Sequence, residues 1–460
     1  MRDELASDVP FNVLLTGELV EQIAATEPET LAALNQALDD KRGDVIGGDY
    51  REREAPIQSL ESVLWGLQRG KQAFSQHLRR PPTVFARRRY GLGSFLPQLL
   101  ARLEYQGVAH WTLDDGRFPQ GEQSKTRWEG CDGTVLDALT RVPMNAADSS
   151  AFLTYAEKMG ESMDLDHVAT VGFAHWPGDA CDWYGDLRRM AKYAPVLGRF
   201  VTLGEYFAET DSPGQLSKFL ADEYRAPYLK QAVRRRKDNP LSAHADHARR
   251  RMQLDSAGAL SALSAMLSGV APDEDAAEQA RRLIEENEFA CGPCDPPAAE
   301  DLNERSQALL DRAAKELAQA SPRSADPPAK GEQGGWFLFN PQSFARRVTV
   351  QVPGLNYLPA KSPIRASQEA KGGNLVVADV PAMGYAWIPR QGSDDAQSLP
   401  TPLAEGNVLR NEFLEATINS QTGSLGGLHD YMSRGNRLSQ QLAFRMPGPR
   451  SRPGDIWRDP

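Results

Sequence analysis

Two small groups of side chains lie directly after strand-like runs, where they could take part in chemistry. Asp114 and Asp115 follow the apolar run GVAHWTL, and His175 with Trp176 closes the run VATVGFAHW. A pair of carboxylates could serve as the two acidic groups of a hydrolase, and a histidine beside an aromatic ring could bind a metal ion or a sugar. A turn cap for the aspartates and a packed or hydrogen-bonded histidine are the alternatives that these residues leave open.

The elements that must position these residues alternate along the N-terminal part of the chain. From Phe11 to about Phe207, short apolar runs such as FNVLL, PTVFAR and GVAHWTL alternate with amphipathic stretches such as Leu19 to Leu38. Strands separated by helical patterns predict parallel β/α units. Because ligands bind beyond the carboxyl ends of parallel strands, the residues that directly follow each strand are candidate site residues.

The rest of the chain changes character three times. Residues 207–320 are rich in Ala, Leu, Glu and Arg with apolar residues at helical spacing, which predicts a helical bundle. The polar stretch 321–335 is typical of a linker. Residues 336–400 alternate apolar and polar positions as in a β-sandwich, and residues 401–460 continue in strands as the incomplete start of a second β-sandwich domain. The predicted fold class is therefore multidomain, with an α/β domain at residues 1–206, an all-α bundle and all-β domains.

Composition narrows the classes of partner. The 460 residues carry a formal net charge of -10, which disfavours a nucleic-acid-binding protein. No apolar run approaches the length that crosses a bilayer, and no signal-peptide pattern follows Met1. Four cysteines argue against a disulfide scaffold. We expect a cytoplasmic protein without nucleic-acid or membrane partners, and both a homo-oligomer and a fragment of a longer protein stay open as alternatives.

One block of the sequence resembles a known family. It runs from Phe74 to Thr134 and contains FSQHLRRPPTVFARRRYGLGSFLPQLL and, later, the turn WEGCDGT. This block is similar to the barrel domain of the retaining α-mannosidases of glycoside hydrolase family 38, in which a segment ending in LPQIL precedes a WEG.DGS turn. The resemblance covers about Gly47 to Met446 and implies a partial (β/α) barrel of the seven-stranded type.

Three later motifs support the resemblance and follow in the correct order. They are FNPQSF from Phe339, VPAMGY from Val380 and LRNEFL from Leu409. The family has FNPLSW, VPALGY and LENEFY at the corresponding points. The resemblance implies an α-mannosidase-like glycoside hydrolase that acts on α-mannosides or related glycans.

The position of the family's nucleophile holds a different type of residue in this chain. Counting from the flanking YGLG and LPQ motifs places Arg88 where the family has its catalytic aspartate, which is also a zinc ligand. A guanidinium stays protonated and cannot attack a sugar carbon. The other zinc ligands of the family are not found either, since no histidine precedes His77. We therefore predict no cofactor, and the alternative function is a catalytically inactive carbohydrate-binding pseudoenzyme or a structural fragment or partner.

The candidate site residues follow from both lines of reasoning. Candidate catalytic residues are Asp114, Asp115 and Glu223, the last in the motif EYRAPY, which is similar to a cleft-lining pattern of bacterial family members. Candidate substrate-binding residues are Arg88, Tyr90, Trp128, His175, Trp176 and Tyr224. Aromatic rings can stack on sugar faces, but large aromatics also serve as core or wall residues, and that alternative stays open for Tyr90, Trp128 and Trp176. No metal ligands are predicted.

Overall fold

A computed structural model describes most of the chain in two compact units, Met1–Pro322 and Arg323–Pro460. The described residues are 2–53, 58–111, 113, 125–163, 169–194, 196, 198–210, 216–219, 223, 240–271, 274–290, 296–320, 334–359, 361–390, 392, 403–433 and 435–438. Within these ranges, no helix is both long enough and apolar enough to span a membrane.

A seven-stranded sheet forms the centre of the first unit in the described part of the chain. Its strands are β1 (Phe11–Leu15), β2 (Gly43–Gly47), β3 (Val84–Phe85), β4 (Gly107–Ala109), β5 (Thr126–Glu129), β6 (Val135–Leu139) and β9 (Leu216–Lys218), in the order β1-β2-β3-β4-β6-β5-β9. Strands β1 to β4 and β6 pair in parallel, β5 is antiparallel to β6, and β9 is parallel to β5. Two short strands, β7 (Met144–Asn145) and β8 (Phe173–Ala174), form a separate parallel pair. The predicted parallel β/α arrangement is confirmed, whereas closure into a barrel is not seen among the described strands.

Helices alternate with these strands. They are α1 (Arg2–Leu5), α2 (Gly17–Thr26), α3 (Pro28–Asp39), α4 (Leu60–Leu78), α5 (Leu96–Arg102), α6 (Ser149–Glu161), α7 (Asp182–Ala191) and α8 (Leu203–Glu209). Side-chain caps start α2 and α4, since Thr16 accepts from the amide of Leu19 and Ser59 accepts from the amide of Ser62. The amphipathic stretch from Leu19 to Leu38 forms two helices, because Pro28 fits a first helical turn but cannot continue a helix.

The sheet is buried on both faces, because successive residues of a strand point to opposite sides. In β3, Phe85 joins one core cluster and Val84 joins another. In β4, Val108 and Ala109 divide between the same two clusters. Each large apolar side chain buried in this way contributes about 1.5–3 kcal/mol relative to exposure. Burial on both faces explains why these strands appear as continuous apolar runs in the sequence.

Helix α4 packs closely on the segment after β2 because residue 70 is a glycine. A Cβ atom at Gly70 would overlap the carbonyl oxygen of Gly48 and come within 2.8 Å of the backbone of Asp49. We therefore expect Gly70→Ala to lower the free energy of unfolding by about 2 kcal/mol, measured by urea-induced unfolding of the full chain. The control is Gly185→Ala in α7, where a Cβ atom meets nothing within 4 Å. The control should be neutral or stabilising by about 1 kcal/mol at most, and equal losses in the two variants would contradict the packing argument.

A helical bundle completes the first unit. It consists of α9 (Pro240–Ser268), α10 (Glu274–Phe289) and α11 (Pro296–Gln319). The apolar core of the bundle includes Leu254, Leu283, Leu302 and Leu309. A buried arginine also lies between the helices, where Arg250 donates to the side-chain oxygens of Asn287 on α10 and Asn303 on α11. Polar contacts therefore add to apolar packing in joining the three helices.

Antiparallel sheets form the second unit. The strands are β10 (Gly335–Asn340), β11 (Arg346–Val352), β12 (Ile364–Gln368), β13 (Asn374–Val380), β14 (Gly384–Pro389), β15 (Ala404–Glu405), β16 (Val408–Arg410), β17 (Leu414–Ile418) and β18 (Leu425–Asp430). They pair as β10-β14, β11-β13-β12 and β15-β16-β17-β18. The first two sheets contribute Ile388, Val352 and Val376 to one core cluster. The amide of Asn340 donates to the carbonyls of Phe344 and Pro381, which joins the FNPQSF and VPAMGY motifs in space.

Candidate functional site

The candidate site lies where β2 and β3 end. The clamp segment, Asp49–Arg53, follows β2, and the arginine loop, Arg87–Gly91, follows β3. Because β2 and β3 are parallel neighbours, both segments leave the sheet at its carboxyl edge. The described structure therefore places Arg88 and Tyr90 at the edge where ligands bind in such sheets.

A buried ion pair joins the two segments. Arg87 donates through Nε to Asp49 Oδ2 at 2.6 Å and through Nη2 to Asp49 Oδ1 at 2.8 Å. Its Nη1 donates to the carbonyl oxygen of Gly91 at 3.1 Å. One guanidinium thus fixes the clamp segment and closes the arginine loop on itself, since a bidentate pair restrains both distance and orientation.

Glu52 forms the second link between the two segments. Its Oε1 accepts from the backbone amide of Arg88 at 2.6 Å, and its Oε2 accepts from the amide of Arg89 at 3.0 Å. Burial raises the pKa of Glu52 above its usual range, although the amide hydrogen bond from Arg88 acts in the opposite direction. The carboxylate therefore holds the backbone on which the Arg88 side chain is mounted.

The backbone of the arginine loop turns sharply after Arg89. Tyr90 and Gly91 have φ angles of 66° and 63°, both in the left-handed region. Such a conformation is costly for a tyrosine, so the surrounding contacts must maintain it. The loop also contacts the segment after β4, since the amide of Leu113 donates to the carbonyl oxygen of Arg88 at 2.9 Å.

Arg88 and Trp176 are brought together by the fold. The guanidinium carbon of Arg88 lies 4.1 Å from the centre of the Trp176 ring, a distance typical of a cation–π contact. Trp176 is 56% exposed and follows β8. Next to it, His175 Nδ1 donates to the carbonyl oxygen of Trp176 at 2.8 Å and lies 3.7 Å from a carboxylate oxygen of Glu4. Arg88, His175 and Trp176 thus form one surface, with Tyr90 on the same loop as Arg88.

Comparison with known proteins extends this description. No protein-family model matches the chain, and no curated protein matches its sequence. Among solved structures, an α-mannosidase from Enterococcus faecalis V583 matches with a TM-score of 0.54 and 15% identity, over 95% of this chain. The two proteins share a fold. The resemblance predicted from the motifs is therefore confirmed at the level of the fold.

The chain spans 57% of the length of that α-mannosidase. At 15% identity, the likeness extends to the fold alone. A 4-α-glucanotransferase from Thermococcus litoralis also matches, with 12% identity over 93% of this chain and 61% of its own. Its TM-score of 0.39 is too low to carry an argument.

Trp128 does not belong to the surface around Arg88. Its side chain is completely buried in the core, with its ring centre 4.6 Å from that of His110. Since the protein covers its indole, we do not retain Trp128 among the ligand-binding candidates. Glu223 is exposed. Asp114, Asp115 and Tyr224 lie outside the described residues.

Asp49 and Glu52 are functional candidates that the sequence reasoning missed. Both follow the strand-like run GDVIGG, so the rule that selects Asp114 and Asp115 would also have selected them. Their partners lie 38 and 36 residues later in the chain. The order of the strands, rather than local spacing, brings these residues together.

The resemblance assigns a zinc ligand to position 88, so the residues around that position can be compared with what zinc requires. That position carries the guanidinium of Arg88, which repels a metal cation. The oxygens of the two nearby carboxylates, Asp49 and Glu52, already accept hydrogen bonds from Arg87 and from loop amides. Elsewhere in the described ranges, no cluster of three or more His, Cys, Asp or Glu side chains could hold a metal ion. The described residues at this slot do not fit zinc.

Proposed function

We propose that the chain binds α-mannosides or related glycans at the surface of Arg88, Tyr90, His175 and Trp176, without hydrolysis through position 88. The observation that carries this proposal is the Arg88 guanidinium stacked on an exposed tryptophan, in the slot that the resemblance assigns to the nucleophile. Arginine offers no lone pair for attack, but its N–H groups can donate to sugar hydroxyls. An exposed indole offers an apolar surface to the C–H face of a sugar ring.

Asp49 and Glu52, the carboxylates that contact the arginine loop in the described part of the chain, support binding rather than hydrolysis. A retaining glycosidase needs two carboxyl groups about 5 Å apart, one to attack and one to donate a proton. In this chain each oxygen of Asp49 and Glu52 accepts a hydrogen bond from the arginine loop. These groups orient the loop, and neither is held ready for proton transfer.

Trp176→Ala tests the binding surface. We expect it to weaken binding of methyl α-mannoside by about tenfold, or about 1.4 kcal/mol, in isothermal titration calorimetry, because the stacking surface is lost. The control is Trp183→Ala, which removes a tryptophan of similar exposure, 53%, from the start of α7. Trp183 packs on Phe152, so its loss should leave the affinity unchanged. Undiminished binding by Trp176→Ala would count against the proposed surface.

A second candidate is an α-mannosidase-like hydrolase with relocated carboxylates. It is favoured by the hydrogen bond from Leu113 to Arg88, because Asp114 and Asp115 are the next residues in the chain. Glu223 would then be the candidate proton donor. Hydrolysis of an aryl α-mannoside that Asp114→Asn or Asp115→Asn abolishes would support this candidate over simple binding.

We further propose a partial barrel for residues 1–206, followed by the bundle at 207–320. Residues 1–206 contribute six of the seven strands of the sheet, mostly in parallel pairs, which supports the barrel, while the seventh strand, β9, lies at Leu216–Lys218 within the second range. After a linker at 321–335, residues 336–400 would form a β-sandwich and 401–460 would begin another. The core cluster shared by two antiparallel sheets supports the sandwich.

A further inference from the structure

The clamp segment rests on the carboxyl end of α10. Arg53 donates through Nη1 to the Glu288 carboxylate and to the Glu288 carbonyl oxygen, the latter at 3.1 Å. The ring of Tyr50 lies 5.8 Å from that of Phe289, and the guanidinium of Arg51 lies 4.9 Å from the same ring. Three residues of the clamp segment therefore contact the same two residues of the bundle.

Glu288 is held at the centre of a buried charge cluster. Its side chain is 0% exposed, and that of Arg53 is 9% exposed. Glu288 Oε1 accepts from Ser62 Oγ at 2.8 Å and from Arg251 Nη1 at 2.9 Å. His247 Nε2 lies 3.4 Å from Oε2. Contacts from α4, α9 and the clamp segment thus fix one carboxylate.

We propose that Glu288 is a positioning residue for the glycan site, which it never touches, acting through Arg53 on the clamp segment. Arg53 is bonded to Glu52 in the chain, so a displacement of Arg53 also displaces Glu52. The hydrogen bonds that the amides of Arg88 and Arg89 donate to Glu52, at 2.6 and 3.0 Å, weaken with small movements. The orientation of Arg88 over Trp176 therefore depends on a residue of the bundle.

The choice of a glycan as the ligand rests on the proposed function. The coupling between Glu288 and the arginine loop can be measured without any ligand. The amides of Arg88 and Arg89 are protected by Glu52, so hydrogen exchange in the arginine loop reports on the clamp directly. Glu288→Asp and Arg53→Lys keep both charges of the pair while they alter its geometry. The matched control is Arg251→Lys, which keeps the charge of another Glu288 partner that has no bond to the clamp segment.

Two measurements are made on the full chain: hydrogen exchange without ligand, and the affinity for methyl α-mannoside. We expect Glu288→Asp and Arg53→Lys to speed exchange at the Arg88 and Arg89 amides by about tenfold and to weaken binding by a similar factor. Arg251→Lys should change either quantity by less than about twofold. Ser62→Ala removes one hydrogen bond from Glu288 and supplies a milder variant if the others do not fold.

The outcomes separate the two proposals. Unchanged exchange in folded Glu288→Asp and Arg53→Lys would overturn the positioning role, as would equal acceleration in Arg251→Lys. Faster exchange confined to the arginine loop, in a chain that does not bind the mannoside, would support the positioning role and reject the proposed function.

Discussion

Arg87→Ala should lower the free energy of unfolding of the first unit by about 3–5 kcal/mol, because it leaves the carboxylate of Asp49 buried without its partner. The Arg87 and Asp49 side chains are almost completely buried and paired through two hydrogen bonds. The variant also loses the bond from Arg87 to the Gly91 carbonyl, so the arginine loop should open with it. Urea-induced unfolding, monitored through hydrogen exchange of the β3 amides, would measure this loss in the free energy of unfolding.

Two further variants make this result specific. Arg80→Ala removes an exposed partner of Asp39 and should cost no more than about 1 kcal/mol. The double variant Arg87→Met with Asp49→Leu removes both charges and should recover much of the stability, since apolar residues of similar volume often replace a buried pair without loss. A small effect of Arg87→Ala, or no recovery in the double variant, would be inconsistent with a buried ion pair at this place.

Glu288→Gln should destabilise the bundle by about 3–5 kcal/mol at neutral pH, because Arg53 would then be buried without a carboxylate and Arg251 would keep only that of Asp255. Arg53 has Glu288 as its carboxylate partner, whereas Arg251 also pairs with Asp255, and His247 lies beside Glu288. Glutamine keeps the size of the side chain, so the loss should reflect charge rather than a cavity. Hydrogen exchange of the α10 amides at increasing urea concentrations would measure this loss of stability.

The pKa of Glu288 predicts how the free energy of unfolding depends on pH. Burial alone would raise the pKa of Glu288, but His247 and Arg53 outweigh it and lower the pKa from 4.5 to about 2. A carboxyl with a depressed folded-state pKa stabilises the protein above its unfolded-state pKa. That contribution, about 3 kcal/mol, is lost as the pH falls from about 4.5 towards 2. In Glu288→Gln this part of the acid dependence should be absent.

Glu286→Gln on the same helix is the matched control. Glu286 pairs with Arg305 at the surface, where both side chains are more than 40% exposed. Its loss should cost no more than about 1 kcal/mol, because solvent screens exposed pairs. Similar losses for Glu286→Gln and Glu288→Gln would rule out a special role for the buried cluster.

The order of strands and helices could be predicted because local patterns determine it. The runs around Val84 and Val108 are apolar throughout since both faces of these strands are buried, and the helices follow apolar spacing. Closure of the sheet into a barrel depends on pairing between distant strands, which periodicity does not report. The division of the Leu19 to Leu38 stretch depended on one proline, at position 28.

The candidate site was predicted only in part. Trp176 was selected because it follows a strand, and Arg88 was selected by the resemblance; the fold then placed the two side chains in contact. Trp128 lies in the core instead of on this surface, because local sequence does not distinguish an aromatic residue of a buried strand from one at a binding surface. Arg53 and Glu288 are separated by 235 residues, so no local pattern could pair them.

The contact between Arg53 and Glu288 also has a consequence for how such a chain can change by recombination. A break placed between the strand-rich part and the bundle would separate Arg53 from Glu288, the carboxylate with which it is buried. A bundle acquired from another gene would have to bring its own carboxylate to the same point. The two parts are therefore expected to be inherited together, although no described strand or helix belongs to both of them.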